Sequence, residues 1–285
     1  MCHFDQPRVI SGTLAARDLS FAYPGGAPAV AGLSLTIAPG EKLALLGANG
    51  AGKSTLLLLL NGSLRPAGGA VLLDGTPLSY DRKALTALRR RVGLVFQDPD
   101  DQLFAATVFE DVSFGPMNVD LPEAEARHLT QDALDLMGIA SLAARPTHML
   151  SFGQRKRVAL AGVLAMQPDY LLLDEPTAGL DPAGADALVA ALDAVSARGA
   201  AVVIATHDMD LAYAWADRII VFGGGTVALD GPPAHLLSHG DALAPLGLKP
   251  PLLLELFRTL KAAGLMPPDA PMPRTLAALR ASVGG

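Results

Sequence analysis

The chain has 285 residues, 51% of them hydrophobic, with a formal net charge of −6 and a pI near 5.5. This composition supports one large domain, or one of ordinary size with a small addition; it excludes a disordered chain and argues against a nucleic-acid partner. Cys2 is the single cysteine, so an internal disulfide framework and a Cys-rich zinc site are excluded, and no apolar run approaches the roughly 18–20 residues that span a bilayer.

Met1 to Pro7 lack the charged start and apolar stretch of a signal peptide, so a reducing, cytosolic setting is expected. Any membrane role then comes from docking to other subunits. Residues 9–23 are predicted to be strand-rich, ending at Tyr23, an aromatic that could stack on a base or simply be a surface or core tyrosine. Leu33 to Ile37 alternates apolar and polar as a half-buried strand does. Residues 42–46 form an apolar strand, followed by Gly47-Ala48-Asn49-Gly50-Ala51-Gly52-Lys53-Ser54-Thr55 and then the leucine-rich start of a helix.

Ala70 to Gly75 reads as strand and turn, residues 81–91 as a basic helix with a solvated face, and Val92 to Phe96 as a buried strand delivering Gln97 at its end. A mostly helical block over 107–143 lies between two strand-rich regions, so a helical subdomain inserted into an α/β core is expected. Leu150-Ser151-Phe152-Gly153-Gln154 opens a further helix to about Met166. Tyr170 to Asp174 is an apolar run ending in two carboxylates, Asp174 and Glu175. That pattern fits a buried parallel strand that presents acids at its C-terminal edge, where ligands sit in open α/β sheets. A helix over 182–198, a buried strand Ala200 to Ala205, a helix over 208–217 and a strand pair around Gly223-Gly224-Gly225 follow. From about residue 240 prolines break the chain, leaving two helices, Leu252 to Ala263 and Thr275 to Ala281.

The 47–55 stretch matches G-x-x-x-x-G-K-[ST], the phosphate-binding loop. Gly47, Gly50 and Gly52 allow a tight turn with N–H groups aimed inward, and Asn49 lies among them. The loop ends at a helix N-terminus, whose free N–H groups and dipole suit a polyphosphate. Lys53 can reach the β- and γ-phosphates, and the hydroxyl of Ser54, beside Thr55, can ligate Mg²⁺. Asp174 can hold Mg²⁺, Glu175 can polarise a water, Gln97 can ligate the metal or orient water, and His207 can donate to the γ-phosphate. Each of these four has an ordinary structural reading when taken alone. His235 and His239 share a spacing that can hold a metal, but no third ligand lies nearby, and two solvated histidines are expected.

With Tyr23, the loop at 47–55, Gln97, Ser151 to Gln154, Leu171 to Glu175, Gly179-Leu180-Asp181 and His207 in this order, the chain resembles an ABC transporter ATPase. Phe152 stands where that family usually has the first of two glycines. The resemblance implies an α/β P-loop ATPase core (1–240) with an inserted helical subdomain (about 98–166) and a C-terminal helical extension (241–285) that contributes dimer contact. It also implies a head-to-tail homodimer that sandwiches two ATP molecules. Each lies between the phosphate loop of one subunit and Ser151, Gly153 and Gln154 of the other, with Asp181 among the binding residues.

Gln97 to Phe104, Glu110 to Pro116 and the stretch after Leu150 are similar to energy-coupling-factor ATPases, most of all the cobalt/nickel importer type. That similarity implies docking on a transmembrane scaffold through a groove after Gln97, with a substrate-binding membrane subunit, at the cytoplasmic face of the inner membrane. A vitamin or another cargo is the alternative. A nucleic-acid ATPase of the same superfamily is disfavoured. About 100 residues separate Lys53 from Ser151 with no heptad run, and the chain has one ATPase domain. Salt-dependent affinity for DNA or RNA would revive that class.

Overall fold

The computed structural model describes residues 10, 12–119, 121–236, 240–267 and 269–283. The first third holds β1 (Leu14–Ala22), β2 (Pro28–Ile37), β3 (Lys42–Leu46), α1 (Lys53–Leu60), β4 (Gly68–Leu73), the two-residue β5 (Thr76–Pro77), α2 (Arg82–Arg91) and β6 (Val92–Val95). A helical block follows, with α3 (Val108–Met117), α4 (Glu123–Leu136) and α5 (Phe152–Leu164), linked by short 3₁₀ turns. Strands and helices then alternate through β7 (Tyr170–Asp174), α6 (Pro182–Ala197), β8 (Ala201–Thr206), α7 (Met209–Trp215), β9 (Arg218–Gly223) and β10 (Thr226–Gly231). The last helices are α8 (Pro233–Leu236), α9 (Gly240–Leu243), α10 (Leu252–Ala262) and α11 (Leu276–Val283).

The strands form two sheets. β2-β1-β4-β5 is antiparallel, and β10-β9-β3-β8-β7-β6 is parallel except for its β9–β10 edge. The parallel strands are apolar on both faces, and their side chains alternate between two cores. Leu43, Leu45, Tyr170, Leu172, Val203 and Ile220 face a core shared with α1 and the antiparallel sheet. Ala44, Leu46, Leu171, Leu173, Val202 and Ile219 face a second core filled by α3 to α7. The parallel register brings the ends of β3, β6, β7 and β8 to one edge.

Capping fixes where the helices of the block begin. Thr107 accepts from the Glu110 N–H while the Glu110 carboxylate accepts from the Thr107 N–H, and Ser151 and Gln154 make the same reciprocal pair at the start of α5. The basic face of α2 is partly engaged: Arg91 pairs with Asp74 and Asp169, and Arg89 donates to the Gly62 carbonyl. α10 and α11 enclose a third, small core of Phe257, Met266 and Leu279. Arg274 ties that region to the main body through the carbonyls of Tyr213 and Ala216. β5, α8, α9 and the 3₁₀ turns are too short to carry a periodic signal, which is why the sequence pattern missed them. Among the described residues, no helix is long and apolar enough to cross a membrane.

Leu172 is fully buried in the middle of the parallel sheet. Leu172→Ala is expected to lower the unfolding free energy by about 2–5 kcal/mol, read from urea denaturation at constant slope.

Candidate nucleotide site

The loop from Gly47 to Gly52 closes on its own lysine. Lys53 Nζ donates to the carbonyls of Gly47 (2.7 Å) and Ala48 (3.2 Å) and is almost wholly buried. Burial lowers the Lys53 pKa, while Glu175 and Asp174 oppose the shift. Gly52 precedes α1 with φ +105°, a left-handed conformation, and a Cβ there would overlap the Ala29 carbonyl, so only glycine fits. α1 begins without a side-chain cap, which leaves its first N–H groups directed at the loop.

A cavity of about 530 Å³ lies over this loop. Its lining combines Asn49, Gly50, Gly52, Lys53, Ser54 and Thr55 with Tyr23, Gln97, Asp174, Glu175 and His207. The size suits a nucleotide, and the polar groups converge from five separate chain segments. Tyr23, 46% exposed, stands edge-on to Phe21 at 5.0 Å, with its hydroxyl 3.4 Å from Thr55 Oγ1, and so presents a ring at the cavity rim.

Burial raises the Asp174 pKa, with Glu175 adding to the rise and Ser54, Lys53 and Lys156 opposing it. The Ser54 hydroxyl, the Asp174 carboxylate and the Gln97 amide line the same cavity, an all-oxygen donor set that fits Mg²⁺.

Glu175 follows β7 with φ +43°, a left-handed conformation that costs a non-glycine residue on the order of 1–3 kcal/mol. Its carboxylate is held at both oxygens: Thr206 Oγ1 donates to Oε2 at 3.0 Å, and His207 Nδ1 lies 2.8 Å from Oε1. Thr206 Oγ1 also accepts from the Asp208 N–H at 3.1 Å, which fixes its rotamer. The result is a buried carboxylate, rigidly aimed, beside a phosphate-sized cradle.

Four sequence-predicted residues lie elsewhere. Ser151, Gly153 and Gln154 form the start of α5, and Asp181 caps α6 by accepting from the Gly184 N–H at 2.7 Å; none of them lines the cavity. Gly47 contributes through its carbonyl to Lys53. Among the described residues, no group of three or more His, Cys, Asp or Glu is placed to hold a metal ion; His235 is exposed on α8, and His239 lies outside the described residues.

Sequence reasoning missed Thr206, Lys156 and Gln102. Gln102 Oε1 accepts from the Phe96 N–H, and its Nε2 donates to the Ala159 carbonyl, so it braces the segment carrying Gln97 against α5. Lys156 stands between Arg155 and Arg157, so in sequence it reads as part of a solvated basic run; only the helical period aligns it with the buried Ala159 and Leu160.

Fold and site together define a P-loop ATPase. Residues 30–178 match the family model described as ABC transporter, and the chain belongs to that family. Among its relatives is the cobalt import ATP-binding protein CbiO of Rhodobacter capsulatus, 54% identical over 95% of this chain and 97% of that protein. The energy-coupling factor transporter ATP-binding protein EcfA2 of Methanospirillum hungatei is 48% identical over 91% of this chain and 65% of that protein. The structure of cbiO1 from Clostridium perfringens, described as part of the cbiONQ transporter complex, superposes with a TM-score of 0.73 at 43% identity, covering 88% of this chain and 98% of that one. A bacterial ABC transporter cassette solved as a dimer gives a TM-score of 0.71 at 28% identity, covering 77% and 98%.

The raised Asp174 pKa carries a stability consequence. The folded pKa lies above the unfolded value of about 3.9, so the native state loses stability as pH rises through that range. Asp174→Asn is therefore expected to raise the thermal midpoint of the nucleotide-free protein at pH 7, with the gain vanishing below about pH 4. A lower midpoint at pH 7 would contradict it.

Proposed function

We propose that the chain is the ATP-hydrolysing subunit of a membrane importer of the energy-coupling-factor type, with cobalt or nickel ions as cargo. The observation that carries the enzymatic part is the Glu175 carboxylate, fixed by Thr206 and His207 in the same cavity as the Lys53 loop. The cargo rests on the resemblance of the 97–116 and 150–162 stretches and on the relatives named for cobalt import and energy coupling.

In this reading Lys53 and the first N–H groups of α1 hold the β- and γ-phosphates, and the Tyr23 ring stacks on the base. Ser54, Asp174 and Gln97 hold Mg²⁺, which supplies charge neutralisation at the phosphate oxygens. Glu175 polarises the attacking water. His207 keeps one ring nitrogen on Glu175, so donation from its Nε2 to the γ-phosphate requires the doubly protonated ring.

The cavity of one chain lacks Ser151, Gly153, Gln154 and Asp181, and a head-to-tail partner supplies them from its own α5 and α6 starts. The relative solved as a dimer supports this reading. The extension from 241 to 285 adds dimer contact through its exposed leucines, Leu252, Leu256 and Leu276.

Docking to the membrane scaffold falls on the segment after Gln97, at the cytoplasmic face of the inner membrane. Phe104 (64% exposed) and Phe114 (50%) stack edge-on at 4.7 Å there with Met117 nearby in sequence, an apolar patch suited to a helix of a membrane partner.

Glu175→Gln is expected to leave ATP affinity intact, slow hydrolysis by a factor on the order of 10²–10⁴ and accumulate an ATP-bound dimer on size exclusion. Normal turnover removes Glu175 as the base, and a monomer with ATP removes the sandwich. Co-expression with the membrane subunits, followed by cobalt, nickel and vitamin uptake, tests the cargo. In the same system Asp100→Ala with Leu103→Ala should abolish co-purification; retained docking shows the groove to be misplaced.

A further inference from the structure

Lys156 is a buried charge that the chemistry above leaves unused. It lies one turn into α5, five residues after Ser151, and is 2% exposed. Its Nζ donates at 2.7 Å to the carbonyl of Glu175 and at 2.7 Å to the carbonyl of Ala178. The same ammonium stands 5.7 Å from the centroid of the Phe152 ring, within cation–π range. That ring in turn fills the space beside Gly179, where an added Cβ would come within 2.7 Å of it. Phe152, which departs from the family's usual glycine, thus supplies a third face of the ammonium's surroundings.

The bonded carbonyl belongs to the residue with the left-handed backbone, Glu175 at φ +43°. A residue holds such a conformation only when its neighbours over-determine it. The Glu175 N–H is bound to the Ala205 carbonyl at 2.8 Å, its carboxylate to Thr206 and His207, and its carbonyl to Lys156 and, at 3.2 Å, to the Ala178 N–H. Three of these anchors come from β8 and the residue after it and one from the turn that follows Glu175; Lys156 alone comes from α5.

We infer that Lys156, braced by Phe152, is a positioning residue for Glu175: it clamps the main chain of the hydrolytic strand end and its following loop to the helix start that carries Ser151, Gly153 and Gln154. The clamp acts through hydrogen-bond donors, which a side chain of equal volume without them cannot replace. In a head-to-tail dimer it joins the glutamate of one ATP site to the residues that complete the other site. The inference rests on the reading of Glu175 as the water-polarising base.

The test compares Lys156→Met, Lys156→Gln and Glu175→Gln in the full-length protein. Steady-state ATPase activity, affinity for a fluorescent ATP analogue and thermal midpoint are measured for each. Lys156→Met nearly keeps the side-chain volume and removes every donor. It is expected to lower kcat by at least about tenfold while nucleotide affinity stays within about twofold. Lys156→Gln keeps two N–H donors and is expected to fall between Lys156→Met and the wild type.

Wild-type turnover in Lys156→Met alongside an inactive Glu175→Gln overturns the clamp and leaves the Glu175 reading standing. Losses of kcat, affinity and thermal midpoint in proportion, in both lysine variants, show a merely structural lysine and also overturn it. Normal turnover in Glu175→Gln overturns the underlying reading instead. Should Lys156→Met fail to fold, Lys156→Gln decides alone: reduced kcat at unchanged affinity supports the clamp, and kcat within about twofold of the wild type refutes it.

Discussion

In β7, Tyr170 and Leu172 enter one core and Leu171 and Leu173 the other, and the strand ends on Asp174. A slip of one residue would carry that carboxylate into the apolar layer, where an unpaired charge costs several kcal/mol. The same boundary between apolar run and polar end recurs in β3 at Gly47 and in β8 at Thr206 and His207. Strand register and polarity therefore locate the site together. The chain can bury its two cores only by delivering these polar groups to one edge of the sheet.

The charged groups gathered at that edge, from strand ends and from α1 and α5, are poorly suited to the place they occupy. Lys53 and Lys156 have lowered pKa values, the latter down to about 8, and Asp174 is shifted upward, all three mainly through burial. Glu175 adds a disfavoured backbone conformation. A surrounding set of hydrogen bonds offsets these terms: carbonyls around both lysines, and Thr206 and His207 on Glu175. Local rules broken at one spot and compensated by near neighbours are the mark of a working site rather than of a stabilising core.

The elements with strong periodicity were legible from residues alone. β3, β7 and β8 are continuous apolar runs, and α6 has a proline at its first position and an aspartate cap. The phosphate loop was legible because Gly-rich spacing before Lys53 has few other uses. The partition into two sheets was not, since β4 pairs with β1 across the intervening β3 and α1, a separation that a local pattern does not encode. Thr206 was hidden for a different reason. A threonine closing a buried strand looks like ordinary β-propensity, and its role appears only when Glu175, 31 positions earlier, lies against it. Lys156 and Gln102 escaped likewise, because their partners are backbone carbonyl and amide groups, which are the same in every residue type.

The reciprocal cap at the start of α5 has a thermodynamic meaning beyond fixing the helix boundary. The Ser151 hydroxyl already accepts from the Gln154 N–H, and the Gln154 side chain already accepts from the Ser151 N–H. In the head-to-tail dimer proposed above, a phosphate arriving at this helix start therefore exchanges bonds rather than adding them, and such an exchange nets only about 1 kcal/mol per contact. Adhesion built from exchanges of this size is inherently releasable: when the ligand that favours it changes, the helix reclaims its own cap and the surfaces part without leaving an unmet donor behind.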